Sequence, residues 1–345
     1  MSAAFSLPVF AFAHGGPAVK GQIRRCPADF QVDEILGFEP DGQGEHFLLH
    51  VRKTNTNTEW LARQLAKFVG IKPMDVSYAG LKDRNAITTQ WFSVRLPGNA
   101  EPDWQAFATQ DYQVLQAQRH SRKLRRGSLQ GNRFNIRVTG LDGDLELLET
   151  RLQRIQQQGV PNYFAEQRFG HGGDNLEMAD KLLTAGQRIK NRHKRSLYIS
   201  AARSFLFNQV CAARVENHSW LTGLAGDAMM LAGSHSFFIA ENIDTTIQQR
   251  LAQGDIMTTG PLWGRGQLPT QAQASALEEQ VLAPYAQWLQ GLEQLGLKQE
   301  RRALCVKPHD MRWQIDTQQY CLQVEFTLPA GSYATSVLRE AINYS

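Results

Sequence analysis

The stretch Asn132 to Gly140, NRFNIRVTG, alternates without a break, with Phe134, Ile136 and Val138 on one side and Arg133, Asn135 and Arg137 on the other. A side-chain period of two belongs to a strand with one face in a core, so this segment predicts a half-buried β-strand. Working outward toward the N-terminus, Phe30, Val32 and Ile35 sit among Asp29, Gln31, Asp33 and Glu34. PDGQGEH then turns the chain and FLLHVRK returns, which predicts a hairpin-like pair of strands. TNTNTEWLARQLAKFVG predicts a helix capped by Thr58, with Leu61, Leu65 and Phe68 on one face and Gly70 as its stop. Val76 to Tyr78, Ile87 to Leu96 and Tyr112 to His120 read as further strands, and Leu145, Leu148, Leu152 and Ile155 mark an amphipathic helix ending at Gly159. The pattern is that of a mixed α and β domain built on antiparallel strand pairs.

Beyond Gly159 the composition changes. VPNYFAEQRFGHGGDN (Val160 to Asn175) is loop-like and rich in glycine and aromatic residues, SLYISAARSFLFNQVCAARV reads as a mostly buried helix, and ASALEEQVLAPYAQWLQGLEQLG as another. Strand alternation returns in CVKPHDMRWQIDTQQYCLQVEFTLPAG, and SYATSVLREAI closes the chain as a short helix. The middle region therefore reads as an insertion or second domain. At 345 residues the chain is long enough for about two domains.

Hydrophobic residues make up 42% and charged residues 20%, the balance of an ordinary folded protein. The N-terminal apolar run has no basic residues ahead of it, and no later apolar stretch is long enough for a membrane span, so a cytoplasmic protein with no membrane association is expected. Cys26, Cys211, Cys305 and Cys321 are scattered, and no HExxH or zinc-type spacing occurs, so no metal is expected. RFGHGGDN lacks the spacing and the lysine of a phosphate-binding P-loop. Net charge is only +4, yet RHSRKLRR (Arg119 to Arg126) and RIKNRHKR (Arg188 to Arg195) each carry five Lys or Arg and no acid. Uncompensated runs of this kind suit phosphate contacts, which makes nucleic acid the expected partner.

Two stretches carry candidate chemistry. In AGLKDRNAITTQW (Ala79 to Trp91), Asp83 lies between Lys82 and Arg84 at the end of a short strand. Neighbouring cations favour an ionised carboxylate, which suits a nucleophile or base; the same cations could equally hold RNA phosphate. In GNRFNI, Asn132 and Phe134 could hold a base drawn out of its stack, or Phe134 could be an ordinary core residue.

Taken together, these segments resemble a known family. AGLKDRNAITTQW is similar to the GxKDxxAxTxQ segment of the TruD family of transfer-RNA pseudouridine synthases, GNRFNI to its Asn-x-Phe segment, and GVPNYFAEQRFG to its GxPNYFGxQRFG stretch, with Ala165 in place of glycine. PADFQVDEI, KRSLYISAARSFLFNQV and LPAGSYATSVLRE are also similar to family segments, in the same order along the chain. The resemblance implies an α+β fold: a pseudouridine-synthase-like catalytic domain with a mixed, largely antiparallel sheet, formed by residues 1–157 and 307–345, and an inserted α/β TruD domain over 158–306. It implies a cofactor-free isomerase of uridine 13 in the D-arm of transfer RNA, with no obligate protein partner. Asp83 falls on the catalytic position, Phe134 on the stacking position with Asn132 beside it, and Phe30 in the matching N-terminal segment. Arg339 is the expected partner of the aspartate, by analogy with other pseudouridine synthases. Lys82, Arg84, Arg122, Lys123, Arg125, Arg168, Arg192, Lys194 and Arg195 are the expected RNA contacts. A non-catalytic RNA-binding or RNA-folding protein on the same fold is the alternative.

Overall fold

The alternating stretch around Phe134 becomes the longest strand of a ten-stranded sheet. In chain order the strands are β1 (Val19–Gln22), β2 (Phe30–Ile35), β3 (His46–Thr54), β4 (Val76–Tyr78), β5 (Ile87–Arg95), β6 (Tyr112–His120), β7 (Gly131–Gly143), β8 (His309–Asp316), β9 (Cys321–Pro329) and β10 (Ile342–Tyr344). Helices α1 (Thr58–Phe68) and α2 (Leu145–Gln158) fall among them. The computed structural model describes residues 7–98 and 100–345. The order along the sheet is β8-β9-β7-β2-β5-β3-β6, with β1 bonded to β7 and β10, and β4 to β5. Only β2 with β5 and β1 with β10 run parallel, so the fold is α+β on a largely antiparallel sheet.

The expected hairpin of β2 and β3 does not form. β5 lies between them, parallel to β2 and antiparallel to β3. Its sequence explains this: seven consecutive residues of β5, from Thr88 to Val94, are buried, which is the environment of a central strand covered on both faces. The helix cap also differs. Asn57 is the N-cap, its Oδ1 accepting from the Glu59 and Trp60 amides at 2.9 and 3.1 Å, and Thr58 is the first helical residue. Helix α1 then buries Leu61, Ala62, Leu65 and Ala66 with Leu49, Val51, Phe92 and Val94 of the sheet. Each large side chain in that cluster contributes about 1.5–3 kcal/mol.

The chain divides into two units. One contains residues 17–150, 308–334 and 342–345, and holds the sheet; the other contains residues 151–307 and 335–341 together with 7–16. The expected boundaries at 157/158 and 306/307 compare with breaks at 150/151 and 307/308, but 7–16 and 335–341 belong with the middle of the chain. The bonds explain it: the Tyr163 hydroxyl donates to Ala11 O at 3.1 Å, Ser336 Oγ to Tyr163 O at 2.9 Å, and the Ala13 amide to Glu340 Oε2 at 2.8 Å. In this unit α3 (Asp174–Leu183) packs on α4 (Arg192–Glu216), whose buried face centres on Phe205, Leu206 and Val210. The single helix expected from Ala274 onward is two, Ala272–Leu282 and Ala286–Gln294, separated by a 3₁₀ turn at Ala283–Tyr285 that contains Pro284.

Gly131 opens β7 where Leu328 of β9 comes so close that a Cβ would run into its carbonyl. Gly131→Ala is expected to lower stability by about 1–3 kcal/mol in urea unfolding, because the β7–β9 ladder must shift to make room.

Candidate active site

By register, Phe30, Val32 and Glu34 of β2 share one face of the sheet with Asn132, Phe134 and Ile136 of β7, with Thr88 and Gln90 of β5, and with Lys53 of β3. The loop from Ala79 to Ala86 joins β4 to β5 and is bolted onto this face. Gln90 Nε2 donates to Gly80 O at 3.1 Å, the Lys82 amide donates to Thr58 Oγ1 at 3.2 Å, and Lys53 Nζ donates to Asp83 O at 3.3 Å. Lys82 Nζ forms a short ion pair with Glu34, whose other oxygen accepts from the Trp91 amide at 2.8 Å.

Asp83 stands out of this framework with its side chain 41% exposed, and its Oδ2 accepts from Arg24 Nη2 at 2.8 Å. Arg24 lies between β1 and β2, with its guanidinium 4.0 Å above the centre of the Phe30 ring. Its φ of +59° is in the left-handed region, which costs a non-glycine residue roughly 1–2 kcal/mol. The turn that follows is fixed by Asp29 Oδ2, which accepts from the Cys26 amide at 3.0 Å. Phe30 in turn meets Phe134 edge-on at 6.3 Å, and Phe134 meets Phe326 at 5.6 Å. Asp83, Arg24, Phe30 and Phe134 thus form one continuous chain of contacts.

Two buried charges support the loop from beneath. Burial pushes the Glu34 carboxyl up, opposed by the charge and hydrogen bond of Lys82. Burial also pushes the Lys53 ammonium down, to about 8, against the upward pull of the Asp83 charge. Asn132, level with Glu34 on the neighbouring strand, has a buried Oδ1 with no hydrogen-bond partner among the described residues.

Asp83 is paired with Arg24, and the Arg339 guanidinium donates to Phe10 O, Ala11 O and Glu340, at 2.6, 3.2 and 2.9 Å. Lys82 is spent on Glu34 with 9% of its side chain exposed, so it holds the loop and is not free for RNA phosphate. Phe134 and Phe30 are 7% and 3% exposed, which makes them the floor of the face and leaves little open ring for a base. Arg84 is exposed. Arg122, Lys123 and Arg125 are exposed in the β6–β7 loop, which is stapled to the segment leading into Asp83: Leu124 is buried with Ala79 and Trp91, Ser77 Oγ donates to Leu124 O at 2.9 Å, and the Gly127 amide to Ala79 O at 2.8 Å. Arg168, Arg192, Lys194 and Arg195 belong to the other unit, the last three in the first turn of α4. Arg168 lies over the Phe164 ring and donates to Ser200 Oγ at 3.2 Å. Arg24, Glu34 and Lys53 were not singled out from the sequence. Among the described residues no group of His, Cys, Asp and Glu could hold a metal ion, and no helix is long and apolar enough to cross a membrane.

The profile of the family described as tRNA pseudouridine synthase D (TruD) matches residues 7–187 and 174–341. The chain belongs to that family. It is 52% identical to the tRNA pseudouridine synthase D of Aeromonas hydrophila subsp. hydrophila over 97% of its length and 94% of the relative's. With that of Methylococcus capsulatus the identity is 52%, over 96% of this chain and 94% of the other. A crystal structure of a TruD chain from Methanosarcina mazei superposes with a TM-score of 0.73 at 21% identity, covering 96% of this chain and 95% of that one, and speaks for the fold alone.

Lys82 and Arg84 flank Asp83 in sequence but differ in setting. Lys82→Ala leaves Glu34 buried without its cation and is expected to cost about 3 kcal/mol or more in urea unfolding. Arg84→Ala, at an exposed position, is expected to stay within about 0.5 kcal/mol.

Proposed function

We propose that this protein isomerises uridine to pseudouridine in transfer RNA, at uridine 13 of the D-arm, with Asp83 as the reacting carboxylate. The observation that carries the reading is the way Asp83 is held: partly open, paired with Arg24, and rooted in a loop tied down by Gln90, Thr58, Lys53 and Glu34. An ordinary solvated turn needs none of these ties, whereas a reacting group must be fixed in position before substrate arrives. The relatives are named for tRNA and pseudouridine, which supports the substrate and the product; the D-arm position comes from the motif resemblance.

The isomerisation breaks the N1 to C1′ bond, turns the uracil and joins C5 to C1′; a proton leaves C5 and one is taken up at N1, so atoms and electrons balance without a co-substrate. Arg24 holds the Asp83 carboxylate in place through its guanidinium. The carboxylate then serves one of two routes, attack on C1′ with a covalent intermediate or removal of the C2′ proton to give a glycal. A primary isotope effect with deuterium at C2′ marks the second. The unpartnered Oδ1 of Asn132, on the face that carries the loop, is an acceptor suited to the N3–H of uracil. The exposed basic residues of the β6–β7 loop supply phosphate contacts beside this face.

Asp83→Asn keeps the shape and removes the charge. It is expected to lower pseudouridine formation in a D-arm transfer RNA at least about a thousand-fold, while the dissociation constant for RNA stays within a few-fold. A wild-type protein that binds transfer RNA but forms no pseudouridine would instead be a non-catalytic RNA-binding or RNA-folding protein. Replacing Arg122, Lys123, Arg125 and Arg126 together with Gln is expected to weaken RNA binding and to flatten the log–log salt dependence by about 3. An unchanged slope would remove this loop from the interface.

A further inference from the structure

Lys53 is fully buried, although a lysine is among the residues least often found without solvent. It stands next to the end of β3, and its ammonium reaches forward to two carbonyls from different loops: Thr56 O at 2.7 Å, in the connection to α1, and Asp83 O at 3.3 Å. The same two loops are joined a second time where the Asn55 amide donates to Ala86 O at 3.3 Å, and a third time where Arg84 Nε donates to Asn55 O at 3.4 Å. The charges facing the ammonium are Asp83 and Lys82 from the loop and Glu34 from β2. Neither carboxylate is bonded to it directly: Glu34 is taken by Lys82 and the Asp83 side chain by Arg24.

We propose that Lys53 is a positioning residue for the Asp83 carboxylate: its ammonium, shut away from solvent behind the loop, clamps the Asp83 and Thr56 carbonyls together and so sets where the carboxylate points. The inference rests on Asp83 being the reacting group. A lysine suits the task because an ammonium is a compact charge able to donate in three directions, so one atom can gather carbonyls from separate segments. The geometry also divides the work. Arg24 holds the carboxylate from the open side, and Lys53 holds the peptide that carries it. A neutral amine would keep one or two donors but lose the positive charge behind the loop.

The burial gives the test its pH axis. The Lys53 ammonium ionises at about 8 when folded, against 10.5 for an ordinary lysine. Over that window the unfolded chain holds more protons than the folded one, so the contribution of this group to stability rises with pH. Turnover lost above about pH 8 through Lys53 is therefore not explained by unfolding of the protein through the same group.

The experiment compares wild type with Lys53→Met, which has nearly the same length and no charge, in single-turnover pseudouridine formation on a transfer RNA from pH 6 to about 10. Titration of the uracil imide acts on both proteins alike and cancels in the comparison. The expected result is a loss of about a hundred-fold in the rate of the chemical step, with the RNA dissociation constant within about two-fold, and an alkaline fall near pH 8 in wild type that the variant lacks. A variant with the wild-type rate and the same alkaline fall overturns the proposal. If Lys53→Met does not fold, Lys53→Arg takes its place: it keeps a cation through about pH 10, so an alkaline fall near pH 8 that wild type shows and this variant lacks supports the clamp, and the same fall in both overturns it. A wild-type protein with no turnover at any pH overturns the proposed function, and this inference with it.

Discussion

The buried ion pair between Glu34 and Lys82 is the constraint on which the rest of the site depends. A carboxylate with no solvent exposure is costly unless its charge and lone pairs are met, and Glu34 meets them with two partners from elsewhere in the chain: the Lys82 ammonium and the Trp91 amide. It thereby ties β2 to β5 and to the loop between β4 and β5 at one point. Asp83 is the residue immediately after the tied lysine. Its freedom is what remains once Lys82 is anchored, and Arg24 takes up most of that remainder.

This arrangement separates two tasks that the sequence presents side by side. Lys82, Asp83 and Arg84 are consecutive, but the first turns into the protein, the second stands at its edge and the third lies in solvent. Cations near a reacting carboxylate need not be its neighbours in the chain. The one that touches Asp83 arrives from the segment before β2, carried there by the turn at Pro27–Asp29 and by the parallel pairing of β2 with β5. Its backbone sits in the left-handed region to deliver the side chain, a cost placed where a guanidinium has to reach both an aromatic face and a carboxylate.

Much of the fold was legible in the sequence, for reasons that differ from element to element. The alternation of Phe134, Ile136 and Val138 marked β7, and the spacing of Leu61, Leu65 and Phe68 marked α1. Pairing was harder, because periodicity says which residues face a core and nothing about which strand lies alongside. β2 and β3 looked like a hairpin since the turn residues lay between them, while the seven buried residues of β5 were the signal that a third strand separates them. Asn57 and Thr58 are both good helix caps by chemistry, and the bonds of Thr58 Oγ1, from the Lys82 amide and to Gln90 Oε1, show why the threonine had other work. At the site, the motif resemblance singled out Asp83, Asn132, Phe30 and Phe134. Arg24, Glu34 and Lys53 stayed hidden because each acts through a contact distant in the chain. Arg339 was assigned to Asp83 by analogy with related enzymes; its guanidinium donates to Phe10 O, Ala11 O and Glu340.

The parallel pairing of β1 with β10 has a consequence for how the protein is made. Val19, Lys20 and Gly21 pair with Ile342, Asn343 and Tyr344, and β9 completes the ladder on the far side of β7. During synthesis β1 and β7 must therefore wait, with hydrogen-bonding edges open, while the whole intervening unit is translated. Such edges are where chains associate wrongly, and pairings this distant form slowly. Residues 335–341 of the other unit are made just before β10, so topology leaves both units incomplete until residues 335–345 have been translated.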